Sequence, residues 1–497
     1  MKRLEQLTFT RFIIIILVLF AHNTTGPYLE PLLFFPLRAL IQSGSSGVSY
    51  LFIMSGYVMT LVYYRPGQKF DFAAFWRTRF IRLYPLYILA FLLTCVYYYD
   101  AFITVKPQKI LANIFILQSW IPAYAQSFNF VAWSMTVEIF FYFFFPFLIL
   151  WAYKQSLRRL IWFSVIVWAV NMLVYHAMWV VYLDVNRELV LYFPPMYIGS
   201  FIMGVVGGIW YLQIGKNEGL SSRKRFAALA ASFLLLAIYT VVSTDFLPFL
   251  PHFIQPITGL LAPLMVFFIL ALSLDDTAVS RFLAHPILVN IGELSYAIYI
   301  LHIPVLWLYG KALVSFGVSS VEPVLEYTFL PLILAVSFIV HFYVDTPVRK
   351  WMKDYLKTIQ LRALMIDLAV FIPATFFIFQ LRFEEREYRL LYREMERLVF
   401  WVAFFTRPLF AMILGAYRPS ILRGGGYRWA VSAVVSVTLG SFAMAASAYW
   451  GYFTGWFENF PRSIFVMDWL IVLTLTLLAR ALQRWLMKPK PAAPLPD

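Results

Sequence analysis

Apolar residues fall in bands of roughly 20, each about the length of an α-helix that crosses a bilayer, and the bands recur along the whole chain. Fourteen can be read, starting near Phe9, Gly47, Leu83, Phe130, Leu160, Tyr192, Phe226, Ile257, Val289, Tyr327, Leu364, Leu398, Trp429 and Ser463. The pattern predicts an all-α, polytopic transmembrane helix bundle of about 14 spans, ten followed by four. The polar breaks alternate in character. Every second one is basic: Arg77, Arg79 and Arg82; Lys154, Arg158 and Arg159; Arg223, Lys224 and Arg225; Arg349, Lys350, Lys353 and Lys357; Arg418, Arg423 and Arg428. Short cytoplasmic loops concentrate Lys and Arg, so these breaks are expected inside the cell and both termini cytoplasmic. The first band has no small-residue cleavage site and is followed by further spans, which predicts a retained helix rather than a signal peptide.

One outside break departs from this pattern. "RFEEREYRLLYREMER", Arg382 to Arg397, sets five acids among five arginines. Its Glu-to-Arg spacings of three and four residues predict a short amphipathic helix with paired side chains. "VRKWMKDYLKTIQLR" is the most linker-like stretch. The expected division is 1–356 as a ten-helix membrane domain, 357–362 as linker, 363–486 as a four-helix membrane domain and 487–497 as a flexible tail.

Composition agrees with the bands. Only 13% of residues are charged, about half the fraction usual in soluble proteins, and the mean hydropathy is +0.76. The net charge of +15 could suggest nucleic acid, but in a chain of this kind it follows from topology; the bilayer is the expected partner, and no nucleic acid. The single cysteine, Cys95, excludes an intramolecular disulfide framework and a thiolate metal site. No P-loop, dinucleotide-binding glycine pattern or paired-histidine metal motif competes for the function. The expectation is therefore no metal.

Ionisable residues inside the bands carry the candidate chemistry. In "TRFIIIILVLFAHN", Arg11 and His22 are eleven residues apart, about three helical turns and a rise of roughly 16 Å. On a regular helix they share one face, Arg11 near the cytoplasmic surface and His22 near mid-membrane. Arg11 alone reads equally well as a snorkelling anchor. His22 reads either as a functional group facing a cavity or as a histidine bonded within the bundle. In "NFVAWSMTVEIFFYFFFPF", Ser134, Glu138 and Tyr142 recur every four residues and share a face. A carboxylate at this depth costs about 2.5–3.5 kcal/mol unless paired. A His22–Glu138 pair would relieve that cost and hold the imidazole in the tautomer of a general base; a structural Glu bonded to Ser, Tyr or Trp is the alternative. In "FWRTRFIRLYPLY", Arg79 and Arg82 lie one turn apart at a cytoplasmic entrance, a basic patch suited to phosphate, although topology alone also puts arginines there. His302, in "GELSYAIYILHIP", is expected at or beyond the level of His22. "SSGVSYLFIMSGY" is rich in small residues and reads as a close-packing helix.

Taken together, "TRFIIIILVLFAH", "GVSYLFIMSGY", "RTRFIRLYP", "FVAWSMTVEIFFYFFFP", "SYAIYILHIP" and "VDTPVRK" resemble the successive signatures of the acyltransferase 3 family of integral-membrane O-acyltransferases, over about residues 1–356. The resemblance implies a multi-pass protein of the bacterial inner membrane. It would use cytoplasmic acyl-CoA, usually acetyl-CoA, as co-substrate rather than a bound cofactor, and acylate a hydroxyl of a cell-surface polysaccharide or its lipid-linked precursor. His22 is then the catalytic histidine with Glu138 beside it, and Arg11, Arg79 and Arg82 bind the donor. Trp133, Ser134, Tyr296 and His302 are possible supporting groups; the first three are candidate donors to an oxyanion. Two features depart from the family: its "vExP" acid is Asp345 here, and no SGNH esterase-like domain is expected.

Beyond about Ala363, "MIDLAVFIPATFFIFQLRF", "MILGAYRPSILRGGGYRW" and "FPRSIFVMDWLIVLTLTLLARALQRWL" resemble the four-helix membrane portion of polysaccharide-biosynthesis nucleotide-sugar dehydratases. The dehydratase itself is not expected in the tail "MKPKPAAPLPD", and no active-site residue carries over. This part is expected to dock a glycan-assembly protein or to contribute to a lipid-linked sugar site. Asp367 and Asp468 within it are expected to pair with Arg382, Arg407 or Arg480. Two other readings of the whole remain open. A transporter of an acyl group or lipid-linked sugar would use the same histidine and carboxylate as a proton relay, and a scaffold would only recruit partners.

Overall fold

The computed structural model describes residues 4–24, 41, 43–98, 105, 107–182, 185–214, 221–241, 259–357, 361–382, 386–422, 426–455 and 460–486. The expected band start near Ile257, linker residues 358–360, Arg423 and the tail 487–497 lie outside them. Among the described residues all regular structure is helical and no strand occurs. Eight helices are long and apolar enough to cross a membrane, and five further apolar helical stretches are shorter. The chain is a multi-pass membrane protein. It divides into two compact units, Met1–Tyr99 with Ala112–Arg349, and Asp100–Leu111 with Lys350–Asp497.

The first unit contains α1 (Gln6–Leu19), α2 (Gly47–Tyr63), α3 (Phe72–Tyr97), α4 (Trp133–Ala152), α5 (Leu157–Tyr182), α6 (Ile198–Ile214), α7 (Ser222–Val241), α8 (Ala262–Leu274), α9 (Ser295–Ser315) and α10 (Val321–Ile339). Helix α2 lies against α6 with almost no side chain between them. A Cβ at Gly204 would stand 2.0 Å from the Ile53 carbonyl oxygen, and one at Gly56 2.4 Å from that of Phe201. The small residues of α2 thus serve close packing, the means by which helices associate where no hydrophobic force separates them from lipid. Helix α1 packs on both α2 and α9, and α3 packs on α4 and α9. Five helices therefore converge on one another near Arg11.

Helix α3 starts eleven residues before the apolar band does. Asp71 caps it by accepting the Ala74 N–H at 2.9 Å, and Arg77, Arg79 and Arg82 fall inside its first turns instead of in a loop. Prolines inside α4 and α9 help fix the helices around them. Proline lacks an N–H and so leaves the carbonyl four residues earlier without its helical donor. Pro146 frees that of Tyr142, which accepts the Trp76 indole N–H from α3 at 3.0 Å. Pro304 frees that of Ile300, which accepts the buried Asn129 amide at 2.8 Å. Each proline becomes a cross-link between elements.

The second unit holds α11 (Leu361–Arg382), α12 (Arg386–Ile413), α13 (Arg428–Phe453) and α14 (Arg462–Leu486). Each packs on the next and α14 returns to α11, a closed four-helix ring. The charged stretch after Arg386 is not a separate short helix but the start of α12; nothing between Arg397 and Leu398 breaks the helix. Asp468 pairs with Arg407 and Asp367 with Arg480, all four buried. Arg407 also donates to Thr375 at 2.9 Å and to Ser441 at 3.1 Å. Gly440 makes room for it, since a Cβ there would stand 2.4 Å from Arg407 Cγ. Removing one member of such a pair leaves an uncompensated buried charge. Asp468→Ala is expected to lower stability by about 3–5 kcal/mol, read as unfolding of the full chain in detergent. The double change with Arg407→Ala should cost less than the sum of the two single changes.

Candidate active site

A cavity of about 140 Å³ opens where α1, α2, α3, α4 and α9 meet. Arg11, Arg79 and Arg82 line it together with Glu138. Guanidiniums in the wall of a recess suit it to an anionic ligand. Arg79 is buried, and its guanidinium lies 5.1 Å, 5.5 Å and 5.7 Å from the ring centroids of Tyr63, Phe75 and Tyr142. Cation–π contacts hold the charge without using its N–H groups. Its Nε has no hydrogen-bond partner. Arg82, one turn on, is exposed.

Ser134, Glu138 and Tyr142 line the cavity from one face of α4, as their spacing predicts. Glu138 accepts the Tyr142 hydroxyl at 2.7 Å and the Ser55 hydroxyl of α2 at 2.8 Å. It does not pair with His22, a correction to the expected His–Glu contact. The physical reason lies in α1, which ends at Leu19 and gives way to a π-helical turn over Phe20–Thr24. That wider turn changes the register, so the three-turn arithmetic does not carry unaltered from Arg11 to His22. Such turns concentrate at functional sites.

His22 instead meets the second intramembrane histidine. Its Nδ1 lies 3.1 Å from Nε2 of His302 on α9, and its ring stands perpendicular to that of Phe130 with centroids 5.2 Å apart. His22 is half-buried and His302 is 1% exposed. His302 Nδ1 is 2.6 Å from the Tyr299 backbone carbonyl. Neither histidine is in the cavity wall, but Tyr299 is. Its hydroxyl shares a 2.8 Å hydrogen bond with Ser134 and its carbonyl holds His302, so one residue joins the arginine-lined recess to the histidine pair.

The remaining candidates separate. Tyr296 lines the cavity, but its hydroxyl donates to the Leu83 carbonyl at 2.7 Å. Trp133 is packed among Phe52, Tyr192 and Tyr197 and is absent from the cavity wall. Asp345, buried at the end of a second π-helical turn (Val340–Asp345), pairs with Arg349 at 2.7 Å and faces His341 at 3.5 Å. Arg349 in turn is an electrostatic neighbour of Arg82. Sequence reading missed Ser55 because the small residues around it signal packing, and missed the His22–His302 contact because 280 residues separate the pair.

Residues 4–346 match the family model described as an acyltransferase domain, acyltransferase 3. An acyltransferase of Streptomyces mycarofaciens, MdmB, is 26% identical over 279 residues, 53% of this chain and 68% of that protein. The O-acetyltransferase OatA of Staphylococcus aureus is 23% identical over 333 residues, 62% of this chain and 53% of its own length. No solved structure matches. The arginine-lined recess and its neighbouring histidines thus sit within a matched segment that covers most of the sequence, and the protein belongs to the acyltransferase 3 family.

Proposed function

We propose that the protein is a membrane O-acyltransferase that moves an acyl group, acetyl first among them, from cytoplasmic acyl-CoA to a hydroxyl of a cell-surface polysaccharide or its lipid-linked precursor. In this reading all fourteen helices α1 to α14 cross the inner membrane of a bacterium, with both termini in the cytoplasm. The observation that carries it is the recess of Arg11, Arg79 and Arg82 joined through Tyr299 to His22 and His302.

Coenzyme A is an anionic nucleotide on a pantetheine arm of roughly 15–20 Å, long enough to follow α1 from Arg11 into the π-helical turn that carries His22. The arginines take the phosphates, and the arm passes Tyr299 toward His22. His22 removes the proton of the acceptor hydroxyl as its oxygen attacks the thioester carbonyl. The tetrahedral intermediate collapses, the C–S bond breaks, and the departing thiolate takes the proton back from the imidazolium. Ser134 and Tyr299 bond to each other and to the Val131 carbonyl, so donation to the oxyanion requires one of these hydroxyls to turn away from that carbonyl. Glu138, held by Ser55 and Tyr142, balances the arginine charge. The four-helix unit docks a glycan-assembly partner.

The test is purified protein in lipid with acetyl-CoA and a hydroxyl-bearing glycan acceptor, followed by release of free CoA thiol. An acyltransferase releases thiol in step with acylated glycan. A transporter or scaffold releases none, and that result would overturn the assignment.

A further inference from the structure

The histidine pair has a polarity that the heavy atoms alone determine. A backbone carbonyl can only accept a hydrogen bond, so His302 Nδ1, 2.6 Å from the Tyr299 carbonyl, carries a proton. Among the described residues no carboxylate is bonded to either ring. At 1% exposure a second proton on His302 would place an unpaired charge in the bundle, so its Nε2 keeps a lone pair. The contact at 3.1 Å to His22 Nδ1 then requires the proton to sit on His22. The ring planes are 10° apart with centroids 5.3 Å from one another. With these nitrogens touching, that separation is close to the largest two imidazoles can reach. The rings therefore meet edge to edge, with the N–H directed along the acceptor's lone pair.

We propose that His302 is a positioning residue: through a Tyr299 carbonyl–His302–His22 chain it fixes His22 as the Nδ1–H tautomer and leaves Nε2 as the only basic nitrogen. The chain does for this site what a carboxylate does in a Ser-His-Asp triad, orienting the imidazole and selecting its tautomer, but with neutral groups. A carboxylate would stabilise the imidazolium. A neutral histidine orients the ring without trapping the proton, which suits a base that must return it to the thiolate. Asn129, bonded to the carbonyl that Pro304 frees in the same turn of α9, holds that turn in register. The catalytic part of the proposal rests on the acyltransferase reading; the tautomer does not.

The experiment uses the full chain with ¹⁵N-labelled histidine in lipid, His22 being assigned by its loss in His22→Ala. In the wild-type protein His22 is expected to show a protonated Nδ1 and an unprotonated Nε2. His302→Leu should give a mixture of tautomers and lower kcat for CoA release by about 10–100-fold, with KM for acetyl-CoA unchanged. His302→Gln, whose side-chain oxygen replaces the Nε2 acceptor, should restore the tautomer and most of kcat. A wild-type His22 protonated on Nε2 would overturn the proposal, as would a His302→Leu protein with unchanged tautomer and kcat, or one impaired only in KM. If wild type shows the expected tautomer but releases no CoA, the acyltransferase reading fails while the chain stands.

Discussion

His22→Ala is expected to lower CoA release by about 10²–10⁴-fold, the range general-base catalysis contributes, while the KM for acyl-CoA stays within a few-fold of wild type. The asymmetry follows from where the side chain sits. His22 is outside the cavity that holds the three arginines, so removing it takes nothing from the surfaces proposed to grip the donor. It also takes little from the hydrophobic core, since the ring is half-buried and, among the described residues, its hydrogen bond is to His302. The loss should therefore appear in kcat. Steady-state kinetics with a thiol probe separates the two parameters. A variant with normal kcat and a raised KM would mean that His22 binds rather than reacts.

The second large effect is expected from the arginine pair. Arg79→Gln combined with Arg82→Gln should raise the KM for acyl-CoA by about 10–100-fold, from losing a charge-assisted contact worth about 1.5–3 kcal/mol, with kcat changed little. Arg79 should dominate. It is buried, fixed over three aromatic rings, and lacks a partner for Nε, so its donors are ordered before ligand arrives. Arg82 is exposed, and solvent and salt weaken it. The single variants should therefore differ, and the contribution of Arg82 should fade at high ionic strength while that of Arg79 persists. Equal effects, or a loss confined to kcat, would contradict this division.

What could be foreseen depended on range along the chain. Helical bands and the Ser134–Glu138–Tyr142 face are local, and a period of 3.6 residues exposes them directly. The small residues of α2 announced close packing, and the apposed Ile53 and Phe201 carbonyls explain why nothing larger fits at Gly204 and Gly56. Asp367 and Asp468 demanded cationic partners because buried carboxylates do, but three arginines were eligible and only the fold selects Arg480 and Arg407. Contacts across the bundle left no local trace. Depth alone matches Glu138 to His22, whereas the π-helical turn at Phe20–Thr24, which no propensity announces, sends the imidazole to His302 and leaves the carboxyl group to Ser55 and Tyr142. The prolines were visible as letters; that Trp76 and Asn129 answer the carbonyls they free was not.

A thioester bound from the arginine side must reach the imidazole. An experimental structure with a non-hydrolysable thioether analogue of acetyl-CoA shows whether it does. Phosphates are expected on Arg79 and Arg82, the arm running past Tyr299, and the acyl carbon within about 3–4 Å of where an acceptor oxygen bonded to His22 Nε2 would stand. An arm that ends in the recess, with Tyr299 and Phe130 closing off the histidines, would contradict it.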